Sequence, residues 1–169
     1  NIAAPVTGSN GGLFTIAKDG SYSFDPGTAF DYLAVGESTT TAITYSISDG
    51  FGGSSSSTLT ITVTGTNDAP IARPDTGTTT ENSVLNVNAA AGVLSNDTDP
   101  DSSNTLSVSA VNGSANNIAA PVTGSNGGLF TIAKDGSYSF DPGTAFDYLA
   151  VGESTTTAIT YSISDGFGG

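Results

Sequence analysis

The densest run of potential chemistry is Asn96-Asp97-Thr98-Asp99-Pro100-Asp101, three carboxylates at alternate positions with Asn104 shortly after them. Pro100 breaks regular pairing and no apolar alternation crosses the stretch, so it reads as a loop. Alternate side chains of a loop can converge on one point, and a hard divalent cation such as calcium takes about six to eight oxygens from carboxylates, amides and carbonyls. The competing reading is a polar turn that needs no ion. Calcium is favoured because like charges this close repel one another unless a cation sits among them. The spacing is not that of an EF-hand loop, whose Gly and distal Glu are out of place here. Upstream lie Asn67-Asp68, then Asp75 and Glu81. The candidate calcium ligands are therefore Asn67, Asp68, Asp75, Glu81, Asn96, Asp97, Asp99 and Asp101. Other acidic positions read first as turn formers: Asp19 and Asp135 before Gly, Asp49 and Asp165 at strand ends, and Asp25-Pro26-Gly27 and Phe30-Asp31, for which ion binding is the second reading.

Missing residue types exclude most catalysis. The chain has no Cys, His, Met or Trp, which removes the usual zinc ligands, the common general base and the thiol nucleophile. Asp99 and Asp101 could be paired as the acid and base of a glycosidase, but no Trp is present to line a sugar cleft, and the Tyr and Phe residues mostly fall on alternating core positions. Lys18 and Lys134 each sit beside a hairpin turn, where a solvated lysine, not an isopeptide cross-link, is expected. Asn96-Asp97-Thr98 and Asn112-Gly113-Ser114 fit the glycosylation sequon, a weak signal. No catalytic residues are assigned. With 16 Asp and Glu against 3 Lys and Arg, the formal net charge is −13, which repels phosphate backbones and anionic lipid. Nucleic-acid partners and membrane insertion are thus not expected, and no apolar run approaches the roughly 20 residues of a membrane helix.

The elements that must position these residues repeat. Asn1–Gly53 recurs without a change as Asn117–Gly169, an offset of 116 positions. That period suits a whole domain in tandem and is too long for a solenoid unit. The strand-like Leu59-Thr60-Ile61-Thr62-Val63 runs into Gly65-Thr66-Asn67-Asp68-Ala69-Pro70, where turn formers and Pro mark a boundary. Residues 1–66 then form the C-terminal part of one repeat, and 67–169 form most of the next, lacking its last strand. The chain reads as an interior stretch of a longer protein, and Pro70 and Pro74 stiffen the linker. Within the repeat, Ala42 to Ser48 alternates, with Ile43, Tyr45 and Ile47 on one face, and Leu59, Ile61 and Val63 do the same. Phe14 to Lys18 and Ser21 to Phe24 flank Asp19-Gly20, a two-residue hairpin signal repeated at Asp135-Gly136. Asn88 to Leu94 could form one helical turn. Short strands at this spacing predict an all-β sandwich.

The ordered set Lys18-Asp19-Gly20-Ser21-Tyr22-Ser23-Phe24, Leu33-Ala34-Val35-Gly36-Glu37, Ile43-Thr44-Tyr45-Ser46-Ile47-Ser48-Asp49-Gly50 and Ile61 to Pro70, with Asn96 to Asp101 leading into Leu106, resembles a VCBS repeat. These are cadherin-like modules of giant bacterial adhesins, many exported by type I secretion, and the resemblance covers essentially the whole period. It implies immunoglobulin-like β-sandwich repeats strung in tandem in long extracellular arrays at the bacterial surface, with calcium at or near their junctions. Glu81-Asn82 and the stretch from Asp99 to Asn104 are similar to cadherin ligand motifs, and Asn67-Asp68-Ala69-Pro70 resembles the cadherin linker. One departure is plain: Thr64 stands where that linker carries an acidic residue, and the Asp-Asn pair is inverted. The expected function is a calcium-stabilised extender that projects a terminal binding domain in adhesion or biofilm formation, its partners being neighbouring identical repeats of the same chain. The alternatives are a filament subunit completed by a strand from another chain, and a calcium-dependent carbohydrate-binding module.

Overall fold

Alternating apolar and hydroxyl-bearing residues suit the pleated, half-buried surface of a sheet, and the chain is accordingly all-β. The computed structural model describes residues 4–168; the first three positions and the last position of the duplicated segment lie outside it. The chain divides into two compact units, Asn1–Asp68 with Pro100–Ser103, and Ala69–Asp99 with Asn104–Gly169.

In unit 1, β1 (Val6–Thr7), β2 (Leu13–Ile16) and β3 (Tyr22–Asp25) form an antiparallel sheet in that order. Phe14 lies opposite Phe24, and their rings stand 4.7 Å apart, with Phe30 6.2 Å beyond Phe24. β4 (Ser38–Ser48) and β5 (Ser54–Thr64) make a long hairpin whose register runs from Ser38↔Thr64 through Thr41↔Ile61 and Ile43↔Leu59 to Ser48↔Ser54. Both strands extend beyond the apolar alternation, because Ser and Thr continue the ladder on the exposed side. Phe14, Phe30, Leu33, Ala34 and Thr41 are buried. Gly65 reaches back over Leu33 and Ala34, its N–H donating to Glu37 O at 2.9 Å, and a Cβ there would collide with the carbonyls of both residues.

In unit 2 the same hairpins recur as β8 (Val122–Thr123), β9 (Leu129–Ile132) and β10 (Tyr138–Asp141), with β6 (Leu85–Val87) added beside β10. The second sheet pairs β7 (Ser107–Val111) with β11 (Tyr161–Ser164), with a register shift between Ser162 and Ile163. Val93, Val108, Val111 and Ile132 form the core, and Leu94, Ile118, Val122, Tyr138, Ile159 and Tyr161 pack against it. Burying each such aliphatic side chain contributes about 1.5–3 kcal/mol. Of the alternating face predicted at Ile43, Tyr45 and Ile47, only Ile43 is half-buried in unit 1; its counterparts Ile159, Tyr161 and Ile163 are all half-buried in unit 2.

Two local expectations change in detail. The hairpin loop has three residues, not two: Ala17 N–H donates to Ser21 O at 2.8 Å and Gly20 N–H to Ala17 O at 3.1 Å. Of the loop residues only Gly20 has positive φ, at 89°, so the chain takes a turn closed by a left-handed Gly rather than a turn with two left-handed residues. The helical turn is a short 3-10 segment, Ala89–Ala91, capped by Asn88, whose Oδ1 accepts from Ala91 N–H at 3.2 Å. The two-residue Asn-Gly turn appears instead at Asn112-Gly113, with φ of 45° and 75°.

Candidate cation-binding loops

In unit 2 the segment Ile71 to Asp75 lies along the loop Val93 to Thr98. Ile71 N–H donates to Thr98 O at 2.8 Å, and Thr98 N–H returns a bond to Ile71 O at 3.1 Å. Asn96 Nδ2 donates to Pro74 O at 3.1 Å, and Arg73 N–H to Asp97 Oδ1 at 2.7 Å. This clamp sets Asp75 and Asp97 near the phenol of Tyr161, which β11 supplies. The phenol oxygen lies 2.8 Å from Asp75 Oδ2, 2.8 Å from Arg73 O, 3.0 Å from Val93 O and 3.5 Å from Asp97 Oδ2. A phenol has one proton to give, so two carboxylates and two carbonyls share a single donor. Burial, then the hydrogen bond and charge of Asp75, and less strongly the charge of Asp97, push the Tyr161 phenol far above its ordinary value of 10.0. Burial and the Asp75 charge push Tyr138 in the same direction. Tyr161 is therefore a neutral donor at physiological pH, set in an all-oxygen environment whose chemistry suits a hard cation.

The second place is in unit 1. Asp101 is 1% exposed, and its Oδ2 accepts the Asp68 N–H at 3.0 Å. Asn67 Nδ2 donates to Asp68 O at 3.0 Å. Ser102 donates to Tyr32 O from its N–H at 3.2 Å and its hydroxyl at 3.1 Å, which ties Pro100–Ser103 to unit 1. A carboxylate this deeply buried is costly unless donors or a cation compensate it.

The alternating carboxylates do not gather as one group: among the described residues no cluster of three or more acidic side chains could hold a metal ion. The reason is local. Asp97 turns to the Arg73 amide in one unit, and Asp101 to the Asp68 amide in the other. Glu81 stands apart in the turn closed by Ser83 N–H on Thr80 O, accepting from Asn82 Nδ2 at 3.2 Å. Residue patterns did not point to Tyr161, Arg73 or Val93; Tyr161 reads as one more apolar-face position of an alternating strand, and its partner Asp75 is 86 positions away.

The turn formers behave as their types predict. Asp19 Oδ1 accepts from Ser21 N–H and Oγ, and Asp135 does the same with Ser137. Asp49 Oδ1 takes the N–H groups of Phe51 and Gly53 at 2.8 and 2.9 Å. These bonds hold all three carboxyls below the usual 3.8. A surface groove of about 470 Å³ in unit 2 is lined by Asn86, Val87, Asn88, Thr131, Ala133, Ser137, Tyr138 and Ser139, without a carboxylate.

No helix among the described residues is long and apolar enough to cross a membrane. No curated protein matches the chain. A bacterial Ig domain model matches residues 1–62, and a bacterial cadherin-like domain model matches residues 67–169. The second match spans more than half of the chain, which therefore belongs to the bacterial cadherin-like domain family.

Proposed function

We propose that this chain is an extender segment of a long bacterial surface adhesin, its repeats of the VCBS kind stiffened by calcium and projecting a terminal binding domain in cell adhesion or biofilm formation. The observation that carries the reading is the unchanged recurrence of Asn1–Gly53 at Asn117–Gly169 in a chain with bacterial Ig and cadherin-like matches. Copying a domain without altering it multiplies length and diversifies no surface. Domains of these two kinds are typically structural. The absence of His and Cys and a groove lined by hydroxyl, amide and small side chains support a role other than catalysis.

Calcium fits the donors present. Asp75, Asp97 and the carbonyls of Arg73 and Val93 would hold an ion in unit 2, with oxygen donors only. Asp101, Asp68 and Asn67 are the corresponding candidates in unit 1. A bound cation would neutralise carboxylates that otherwise repel in a chain of net charge −13, and ligation of the folded form alone stabilises it.

The extender role is tested by displaying a known binding domain on bacteria through one, two or four 116-residue repeats. Capture of a surface-bound target should rise with repeat number, and an unrelated spacer of equal length should substitute. A repeat that captures targets without the terminal domain, or that no spacer replaces, would show a binding function instead.

A further inference from the structure

Asn-Gly occurs three times, at Asn10-Gly11, Asn112-Gly113 and Asn126-Gly127. The dipeptide carries its own chemistry, because a following glycine has no Cβ to keep its backbone nitrogen away from the asparagine side-chain carbonyl. All three asparagines are exposed, so access to water does not separate them. Their hydrogen bonds do. Asn10 Nδ2 donates to Thr40 O at 2.7 Å and its N–H to Thr41 Oγ1 at 3.3 Å, while Gly11 N–H donates to Gly8 O at 3.1 Å. Asn126 repeats this with Thr156 O at 2.6 Å and Thr157 Oγ1 at 3.2 Å, and Gly127 N–H donates to Gly124 O at 3.0 Å. In both places the amide nitrogen that would leave and the glycine nitrogen that would attack are held by backbone carbonyls.

Asn112 is bonded the other way round. It lies in the turn that follows β7, with φ of 45° before Gly113 at 75°. Its Oδ1 accepts from Thr160 N–H at 2.9 Å and from Thr160 Oγ1 at 3.3 Å, and its own N–H donates to Thr160 O at 2.8 Å. Among the described residues, Asn112 Nδ2 and Gly113 N–H donate no hydrogen bond. Two donors on Oδ1 draw electron density from Cγ and stabilise the negative charge that an attack there creates. Neither nitrogen of the reaction has a hydrogen bond to break first.

We propose that Asn112-Gly113 is the chain's site of spontaneous succinimide formation, which converts Asn112 into aspartate and isoaspartate while the fold protects Asn10 and Asn126. Hydroxide takes the Gly113 N–H proton, and the nitrogen attacks Asn112 Cγ. A C–N bond forms, the Cγ–Nδ2 bond breaks, and ammonia departs with a proton from water. A second water then opens the ring. Opening at Cγ leaves aspartate in an ordinary chain; opening at the main-chain carbonyl leaves isoaspartate, with the backbone routed through Cγ and lengthened by a carbon. Aspartate keeps an acceptor for Thr160. Isoaspartate lengthens the turn that carries the bonds between Asn112 and Thr160, and so loosens the start of β11 beside Tyr161. Nothing in this chemistry requires calcium or the extender role.

The test incubates the whole chain in warm, mildly alkaline buffer and follows the mass gained at each asparagine by fragmentation mass spectrometry. Asn112 should convert first and to both products. Asn10 and Asn126 should lag together by about tenfold or more, since each must release the bonds on both reacting nitrogens before the ring can close. In denaturing urea the three rates should converge on a higher common value, because the residue that follows is glycine in each. Aged protein, which contains isoaspartate, should melt at a lower temperature than fresh Asn112→Asp, which should match the parent. Asn112→Gln, whose longer side chain closes such a ring far more slowly, should age without this loss. The proposal is overturned if Asn112 in the folded chain keeps its amide as long as Asn10 and Asn126 do, or if the difference persists in urea and so lies in the flanking sequence. Aged protein that melts with the parent would overturn the link to Thr160.

Discussion

Asn1–Gly53 and Asn117–Gly169 are the same residues in the same order, yet they bury different parts of themselves. The first copy buries Phe14, Leu33, Ala34 and Thr41, whose counterparts Phe130, Leu149 and Thr157 are half-buried and Ala150 exposed. The second copy buries Ile132, Phe140 and Asp165, whose counterparts Ile16 and Phe24 are half-buried and Asp49 exposed. What stays constant is local: the three-strand hairpin registers, the Asx-type turns, and the ring stacks at 4.7 and 6.2 Å in one copy and 4.5 and 6.1 Å in the other. What changes follows the neighbouring strands. β5 runs along all of β4 in unit 1, whereas β6 and β7 pair with β10 and β11 in unit 2. A hairpin's turn and register are thus set within some twenty residues, while the depth at which its side chains lie depends on which strands arrive from elsewhere.

The largest effects that could break this comparison are core truncations made in both copies. Phe14→Ala should cost about 3–5 kcal/mol and Ile132→Ala about 2–5 kcal/mol. Phe130→Ala and Ile16→Ala, at half-buried positions, should each cost clearly less than its twin. Urea unfolding of the four variants checks the crossover, and equal losses within each pair would show that burial differences carry no energy.

A smaller effect separates the twin tyrosines. Tyr161→Phe withdraws the proton shared among Asp75, Asp97 and two carbonyls and should destabilise by about 1–3 kcal/mol. Tyr45, 38% exposed, should tolerate the same change within about 0.5 kcal/mol. Thermal melts of the two variants distinguish them.

The smallest effects are in pH. The Tyr161 phenol in the folded chain lies above its ordinary 10.0, so its contribution is fully present below about pH 10 and is lost as pH rises through the folded value. Melting curves above pH 10 should therefore fall more steeply for the parent than for Tyr161→Phe. At the acid end Asp19, Asp49 and Asp135 lie below 3.8. Their contribution is present above that value and is lost as pH falls through the depressed one. Asp49→Asn should flatten the acid limb slightly, and Asp19→Asn and Asp135→Asn should do so equally, since the twin turns are alike.

Much of this architecture was readable from residue types. The period is literal, the Gly20 and Gly136 turns lie where Asp-Gly promises them, and the Ile43 and Leu59 alternations mark β4 and β5. The loop length escaped because Asp-Gly serves two turn geometries and only Gly20 takes positive φ. The candidate site was readable in part. Asp75 and Asp97 were identifiable as oxygen donors, but the strand that brings Tyr161 to Asp75 is fixed by pairing with β7, a long-range event without a local signal. Likewise, alternate spacing of Asp97, Asp99 and Asp101 suggests convergence, whereas backbone amides at Arg73 and Asp68 draw Asp97 and Asp101 to different units.

The role of calcium is tested most directly by titrating the chain with calcium while following the ring resonances of its tyrosines and the melting temperature. The Tyr161 ring should shift saturably while Tyr45 stays still. Melting should rise by an amount that corresponds to about 2.7 kcal/mol at a hundredfold excess over Kd. EDTA should reverse both changes, and the double substitution Asp75→Asn with Asp97→Asn should abolish the Tyr161 shift. A Tyr161 ring that does not move in millimolar calcium, with the same melting temperature in calcium and in EDTA, would contradict the account.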